Sequence, residues 1–290
     1  MVRYYSLLLA STLLMASAFV VSKIFLNAGV HPVTLVASRF TLAGAVAVLW
    51  LFLRGDLQIP RTGRDVAAVL LVGSLQTALL FGTGFIAMVH LSAATISLLT
   101  LTMPIWVVVL HCLVYRELPG VVQLVALGLG ISGVALIIGS GLEMGGVDDL
   151  LWFLLALTGA VSWAAATVFT KGVVFSVTGW SLNAWQMLVG GLQVGVIQLL
   201  LGVPGMDVGN LGEVLLFAWL VLPASILSFG FWFAALQLGG AGTTSGYLFL
   251  IPLFTALMSV PALGATFSPV QLLGGVSVGI AVWLMSRAKN

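Results

Sequence analysis

The chain is poor in charge, and this deficit excludes most classes of soluble protein. Only 6% of its 290 residues are Asp, Glu, Lys or Arg, whereas 61% are hydrophobic, and the mean hydropathy is +1.23. Soluble domains carry about 25% charged residues, so this chain has too few charges to cover a surface that faces water. The composition indicates an integral membrane protein, and a formal net charge of +2 is too small to indicate binding of nucleic acid.

Cysteine is also nearly absent, since Cys112 is the single one in the chain. One cysteine excludes an intramolecular disulfide framework and any metal site built from cysteines. The sequence shows no cluster of His, Cys, Asp and Glu with metal-ligand spacing and no nucleophile motif, which disfavours a membrane-embedded enzyme. We therefore expect no cofactor, no metal and no catalytic residue.

Long apolar runs are the main feature that the sequence does contain. About 20 helical residues cross the hydrocarbon core of a bilayer, and the first run is too long for the core of a cleaved signal peptide. The ten runs lie near 5–26, 33–53, 66–90, 93–115, 120–141, 150–173, 181–202, 213–237, 241–262 and 269–286. The sequence predicts an all-α membrane protein with ten transmembrane helices.

The second half of the chain repeats the first at one constant interval. The matched pairs are Lys23 and Lys171 (171 − 23 = 148), Pro104 and Pro252, Gln123 and Gln271, and the FGxxF pattern that begins at Phe81 and again at Phe229. We predict a first repeat over 1–141, a linker over 142–149 and a second repeat over 150–290. Since five spans is an odd number, the second repeat must enter the membrane from the opposite side. Inverted repeats of this kind build many secondary transporters, with the substrate site near the membrane midplane.

Lys and Arg in the short connections predict the orientation. If the N-terminus is cytoplasmic, the connections and termini inside the cell contain Arg3, Arg54, Arg61, Arg64, Arg116, Arg287 and Lys289, and those outside contain no Lys or Arg. Both termini are therefore predicted to be cytoplasmic, in a multi-pass protein of a bacterial-type inner membrane.

Several short motifs resemble the EamA group of the drug/metabolite transporter superfamily. They are the tract Ser17-Ala18-Phe19-Val20-Val21-Ser22-Lys23, Arg39-Phe40, Tyr115-Arg116-Glu117 and Ser162-Trp163, together with the acidic linker. Met15 stands where the family usually has Trp, and Ala265 stands where the second repeat often has Glu. The resemblance implies ten helices in two repeats and export of amino acids or related metabolites.

Lys23 and Arg39 are the basic residues that lie within spans and away from their ends. A Lys or Arg at the centre of a span costs about 2.5–3.5 kcal/mol on insertion scales, so each needs a reason to be there. We hypothesise that one of them attracts a carboxylate or another anionic group of the substrate. The alternative is that the long side chain reaches the membrane interface.

Pro104 and Pro252 lie inside the predicted fourth and ninth spans in the same register. Proline removes a helical hydrogen bond, and paired helix breaks in two repeats are typical of a transporter site. We predict hinges at both prolines, with harmless kinks as the alternative.

Aromatic and amide side chains complete the candidate site, with lipid-facing or interhelical packing as the alternative for each. These candidates for substrate binding or gating are Gln76, Phe85, Trp106, Trp163, Asn183, Gln186, Trp232 and Tyr247.

His90, at the end of the third span, is a candidate proton carrier or gate. No Asp or Glu lies in the middle of a span, so proton coupling competes with uncoupled facilitation or exchange. The sequence therefore favours an alternating-access exporter of small metabolites, ahead of a facilitator, a non-transporting scaffold or an enzyme. It does not indicate an oligomeric state.

Overall fold

The computed structural model describes residues 2–87, 90, 99–100, 102–138, 147–172, 176–177, 179–207, 209–239, 244, 246–263 and 269–287. Over these ranges the backbone forms helices and turns and no strand. Helices are the expected solution for long apolar runs, because each helix satisfies its own backbone hydrogen bonds without water. The all-α prediction is confirmed for this part of the chain. Predicted linker residues 142–146, and the positions of Ala265 and Lys289, lie outside the described residues.

Ten helices correspond to the ten apolar runs within these ranges. They are α1 Val2–Asn27, α2 Pro32–Leu53, α3 Gly63–Ala87, α4 Met103–Tyr115, α5 Val121–Ile138, α6 Val147–Gly172, α7 Gly179–Leu200, α8 Leu211–Leu238, α9 Leu250–Leu263 and α10 Pro269–Arg287. Over the described residues, five are long and apolar enough to cross a membrane: α1, α2, α3, α8 and the part of α6 over Leu151–Lys171. Ten membrane crossings and their orientation stay predictions.

The third helix of each repeat begins with the same capping arrangement. The hydroxyl of Thr62 accepts a hydrogen bond from the backbone N–H of Asp65 at 3.1 Å, and the Asn210 side chain accepts one from Glu213 at 3.0 Å. Both positions of the pair match at the interval of the repeat, with similar residue types. A polar cap followed three positions later by an acidic residue satisfies N–H groups of the first turn. The repeat therefore extends to the caps of α3 and α8.

A single wide turn interrupts α3 and α8 in matched positions. Residues Ser74–Leu79 of α3 and Leu222–Leu227 of α8 are π-helical, and both boundaries differ by 148 (222 − 74 and 227 − 79). A π turn widens the i→i+4 pattern to i→i+5, and such bulges are frequent at functional sites. We call these two stretches the π segments.

Helices of one repeat pack mainly against helices of the other. Helix α1 packs against α9 and the second half of α8, and its repeat equivalent α6 packs against α4 and the second half of α3. Helix α2 packs against α7, and α5 packs against α10. The two repeats are therefore interlocked, and their shared interface contains the core of the protein.

Glycines bring α7 close to both α2 and α3. A Cβ atom added at Gly191 would overlap the backbone of Thr41 in α2, and one added at Gly190 would overlap the side chain of Thr77 in α3. Small residues at such crossings allow helix backbones to approach closely. As a result, the side chain of Gln186 on α7 reaches Thr77 in the π segment of α3.

The two prolines that were predicted to interrupt helices lie close to changes in helical structure: Thr102 separates helical residues 99–100 from the helix that contains Pro104, and the 3-10 turn Tyr247–Phe249 directly precedes the helix that contains Pro252. Helix α4 begins at Met103, so Pro104 occupies its first turn after Thr102, and Pro252 is the third residue of α9. Proline is tolerated in the first turn of α4 because the first N–H groups of a helix have no partner within the helix. A hinge at these two prolines stays a prediction.

Candidate functional site

The two repeats meet at a cluster of three phenylalanines. The rings of Phe81 and Phe229, which occupy equivalent positions in the two repeats, have centroids 6.4 Å from each other. Phe40 contacts both, at 4.7 Å from Phe81 and 6.2 Å from Phe229. Equivalent residues of two repeats can touch only where the repeats meet, so this cluster marks the centre of the interface. The predicted site residue Phe85 is half-buried and stacks on Phe81 at 6.1 Å.

Arg39 is buried beside this cluster and makes hydrogen bonds to the π segment of α8. Its Nε donates to the Ser225 hydroxyl at 2.7 Å, and an Nη atom donates to the carbonyl of Ala224 at 2.9 Å. Its guanidinium lies 4.7 Å from the centroid of the Phe40 ring. These contacts with a neutral helix supply the polar surroundings that a cation needs inside an apolar protein.

A second set of hydrogen bonds runs from the π segment of α3 through α7 to α8. The Thr77 hydroxyl donates to the side-chain oxygen of Gln186 at 2.6 Å, and the Gln186 amide donates to the side-chain oxygen of Asn183 at 3.3 Å. Asn183 in turn donates to the carbonyl of Ile226 at 3.0 Å. Because each side chain in this series donates to the next group, the hydrogen bonds polarise one another. The two amides therefore bridge helices.

The π segments provide the carbonyl acceptors for these contacts. A helix that changes from α to π pairing frees carbonyl groups, and these need partners when they are buried. Ala224 and Ile226 accept from side chains of α2 and α7, and Leu75 in α3 accepts from the Ser162 hydroxyl of α6 at 2.9 Å. Each π segment is thus held by side chains of neighbouring helices.

Three buried donors near the centre have no acceptor among the described residues. They are the indole N–H groups of Trp163 and Trp232 and the side-chain amide of Gln76. The three side chains are 5%, 0% and 1% exposed. A buried polar group without a partner costs about 1–3 kcal/mol, so unpaired donors are expected where a ligand supplies the acceptor.

The two tryptophans lie together, one turn from the phenylalanine cluster. Trp163 and Trp232 pack edge to face with ring centroids 6.1 Å apart, and Trp232 lies three positions after Phe229 on α8. Gln76 lies in the π segment of α3 and directly precedes Thr77. The tryptophans thus combine apolar ring surface with buried N–H donors, and Gln76 adds a third buried donor on α3, a combination that suits an amphipathic solute with oxygen acceptors.

Four other predicted site residues lie away from this centre. Lys23 is exposed near the end of α1, and Trp106 is half-buried and donates to the Thr102 hydroxyl at 3.1 Å at the start of its own helix. Tyr247 contacts Tyr5 at the start of α1, with ring centroids 6.0 Å apart. His90 is exposed and stacks on Trp152 at 3.7 Å.

The contacts of Tyr247 and His90 involve equivalent positions of the two repeats. Tyr4 lies at the start of α1, contacts Tyr247 with ring centroids 6.3 Å apart and forms a 2.9 Å hydrogen bond with the Thr244 hydroxyl. Its equivalent in the second repeat is Trp152 (4 + 148 = 152), which contacts His90. The start of the first helix of each repeat is therefore held by an aromatic contact with a segment that follows the third helix.

Two residues of the site escaped prediction from the sequence. Ser225 and Thr77 are hydroxyl residues in apolar runs, where serine and threonine usually bond to their own helix. They occupy equivalent positions of the two repeats, so a comparison of polar positions between the repeats would have found them.

An apolar groove of about 380 Å³ lies elsewhere, between α1, α8 and α9. Its lining includes Ser17 and Trp219, which are hydrogen-bonded to each other at 2.9 Å. The described residues contain no group of three His, Cys, Asp or Glu that could hold a metal ion. The indole of Trp219 in the groove already has a partner, whereas the donors of Trp163, Trp232 and Gln76 have none among the described residues. The centre of the interface is therefore the better candidate site.

Comparison with known proteins identifies a transporter family that matches both halves of the chain. The sequence model of the EamA-like transporter family matches residues 2–139 and again residues 150–287. An uncharacterized transporter of Archaeoglobus fulgidus is 25% identical over 98% of both chains. Protein PecM of Dickeya dadantii is 27% identical over 76% of this chain and 75% of that protein.

One further relative and one solved structure are similar to most of this chain. The uncharacterized inner membrane transporter YicL of Salmonella typhimurium is 26% identical over 86% of this chain and 83% of that protein. One crystal structure superposes with a TM-score of 0.80 over 99% of this chain and 98% of the other, at 17% sequence identity. This last likeness shows the fold.

Proposed function

This chain belongs to the EamA-like transporter family, and on that premise we propose that it exports small metabolites such as amino acids across the inner membrane by alternating access. The family membership confirms the resemblance in the sequence and makes the chain a multi-pass membrane transporter. The cargo, the direction, the mechanism and the membrane are our proposal.

The unpaired donors carry the proposal for the cargo. Trp163, Trp232 and Gln76 present N–H groups and no carboxylate, so the group that they suit best is an oxygen acceptor such as a carboxylate or carbonyl. The tryptophans and the neighbouring Phe229 and Phe81 offer apolar surface for the remainder of the solute. An amino acid with an apolar or aromatic side chain has both features.

Alternating access is supported by the symmetry of the interface. The matched π segments, and the aromatic contacts of the equivalent residues Tyr4 and Trp152, give the two halves similar parts. Two similar halves can exchange conformations, which yields an outward-open and an inward-open state of comparable energy. This reasoning assumes that the repeats are inverted in the membrane, as the span count and the positions of Lys and Arg predict.

Uncoupled facilitation or exchange is the second candidate, and the acidic residues favour it. All eight lie at the ends of predicted spans or in connections: Asp56, Asp65, Glu117, Glu143, Asp148, Asp149, Asp207 and Glu213. Proton-coupled transporters commonly use intramembrane carboxylates or histidines as relays. His90 is exposed, which leaves no buried carrier near the unpaired donors in the described part of the chain.

Counterflow in proteoliposomes tests the transport function. Vesicles with the purified protein are loaded with unlabelled amino acids, and uptake of the radiolabelled compounds is compared with that of protein-free vesicles. We expect protein-dependent uptake of apolar or aromatic amino acids. Uptake of other metabolites alone would reject amino acids as cargo, and no uptake from a broad metabolite panel would reject transport. An imposed pH gradient should increase the rate if protons are coupled and leave it unchanged for a facilitator.

Conservative tryptophan variants test the site. Trp163→Phe and Trp232→Phe keep an aromatic ring and remove the donor, so each should raise KM for the cargo about fivefold or more, the loss expected for one buried hydrogen bond. Trp219→Phe is the matched control, because its indole lies in the groove between α1, α8 and α9 and bonds to Ser17. An unchanged KM in the first two variants would remove both residues from the site.

A further inference from the structure

The hydrogen bonds at the centre join the two π segments into one connected unit, which we call the network. Thr77 in the π segment of α3 is linked through Gln186 and Asn183 to Ile226 in the π segment of α8. Arg39 binds the same segment of α8 at Ser225 and Ala224. The unit therefore includes residues of α2, α3, α7 and α8, two helices from each repeat.

Each second helix contacts the π segment of the opposite repeat through an equivalent hydroxyl. Arg39 of α2 binds Ser225, and Gln186 of α7 binds Thr77, while 225 − 77 is again 148. Gln186 lies one position before the equivalent of Arg39, since 39 + 148 = 187. A hydrogen bond between a second helix and the hydroxyl of the opposite π segment therefore occurs twice, once with the cation Arg39 and once with the neutral amide Gln186.

The burial of these hydrogen bonds determines how costly it is to break them when the helices move. Arg39 is 5% exposed, and Thr77, Gln186 and Asn183 are fully buried, so bulk water does not reach these bonds in this structure. A partner left unpaired in a buried network is costly, which favours states in which all the bonds persist. A π turn departs locally from the α-helical hydrogen-bond register, so a change of register there would move the groups that are bonded to the opposite helix.

We propose that Gln186 is a positioning residue for the transport cycle, which couples the π segments of α3 and α8 through the hydrogen bonds from Thr77 to Ile226. A register change in one repeat is thereby transmitted to the other, so that one end of the protein opens as the other closes. The proposal rests on the proposed transport function for its purpose, but its test requires no substrate.

Two equivalent buried positions serve as reporters for the two ends. Ser22 in α1 and Thr170 in α6 match in the two repeats and are 6% and 3% exposed. Each is replaced singly by cysteine in a Cys112→Ser background, and the rate of its reaction with N-ethylmaleimide is measured on the full-length protein in detergent. Neither reporter belongs to the proposed site or to the network.

The perturbation is applied at one end only. Tyr4→Phe removes the hydrogen bond to Thr244, at the end where Lys171, next to the Thr170 reporter, binds the last carbonyls of α8. With the network intact, we expect the reactivity at Thr170→Cys to rise and that at Ser22→Cys to fall, each by about threefold or more, in the range of coupling between residues of one network. When Thr77→Val cuts the network, the rise at Thr170→Cys should remain and the fall at Ser22→Cys should disappear.

Three variants make the outcome specific. Thr77→Ser retains the hydroxyl and should restore the distant response. Thr83→Val removes a hydroxyl of α3 that bonds to Leu79 of its own helix, so it should leave the response intact. Gln186→Met cuts the same network on α7 and replaces Thr77→Val if that variant does not fold. A distant response that survives the cut, or that is absent from the intact network, would overturn the proposal whether or not the protein transports a given solute.

Discussion

The guanidinium of Arg39 and the hydroxyl of Ser225 form a buried hydrogen bond of 2.7 Å between the two repeats. The sequence suggested that Arg39 attracts an anionic group of the substrate, and that role stays a prediction. The structure adds a second role, since two donors of the guanidinium are bound to α8. The stability of the protein should therefore depend on this contact.

Loss of the Ser225 hydroxyl should destabilise the protein. Ser225→Ala leaves Nε of Arg39 without its acceptor in a buried position, which costs about 1–3 kcal/mol. The measurement is thermal unfolding in detergent, and Ser132→Ala is the control, because Ser132 is exposed and donates to the carbonyl of Gly128 in its own helix. Equal melting temperatures for the two variants would contradict a stabilising role for the bond.

A methyl group at Gly190 should weaken the packing of α7 against α3. Its Cβ atom would overlap Thr77 and the carbonyl of Gly73, and such overpacking costs about 1–3 kcal/mol. Gly195→Ala on the same helix meets no atom within 4 Å and should be neutral or slightly stabilising, because alanine favours helix over glycine. The midpoint of denaturant unfolding separates the two variants, and a Gly190→Ala protein as stable as Gly195→Ala would show that the crossing can relax.

The matched lysines should differ in their contribution to stability. The Nζ atom of Lys171 donates to the carbonyl of Leu236 at 3.2 Å, at the C-terminal end of α8, where a cation also stabilises the helix dipole. Lys23 is exposed, and no hydrogen bond or ion pair joins it to another described residue. Lys171→Met should therefore lower the free energy of unfolding by about 0.5–1 kcal/mol, and Lys23→Met by less. Hydrogen exchange at the end of α8 should rise in the first variant alone.

The predicted orientation can be tested with two exposed connections. Arg116 follows α4 and Asp207 precedes α8, and the topology places them on opposite sides of the membrane. Single cysteines at these positions, in a Cys112→Ser background, should react with a membrane-impermeant maleimide from opposite sides in intact cells. Asp207→Cys should react from outside, and Arg116→Cys only after the membrane is permeabilised. Labelling of both from one side would reject the inverted arrangement.

Several parts of the fold were readable from the sequence because they depend on composition or local pattern. Low charge and long apolar runs identified the membrane environment, since the cost of a charge in lipid applies wherever the residue lies. The constant interval predicted the repeat, and the caps at Thr62 and Asn210 follow the same interval. Family membership was also visible in short motifs such as Arg39-Phe40.

Other parts depended on contacts between distant segments. The sequence placed Pro104 inside the fourth predicted span, but an apolar run does not show that a helix begins at Met103 within it. The π turns were invisible, since pairing to i+5 in place of i+4 changes the hydrophobic pattern over only a few residues. The partners of Gln186 and Asn183 could not be chosen either, because amides in apolar runs fit several neighbours equally well.

The sequence by itself determined the membrane environment, the helical structure, the internal repeat and the family of this protein. Only the tertiary structure decided that Arg39 binds Ser225, a residue far away in the chain, and that the donors of Trp163, Trp232 and Gln76 lie buried without acceptors among the described residues. The physical reason is that apolar periodicity records how strongly each residue prefers lipid or protein to water, whereas a hydrogen bond also requires two groups to lie within about 3 Å at a suitable angle. That geometry arises only when the two repeats are packed together.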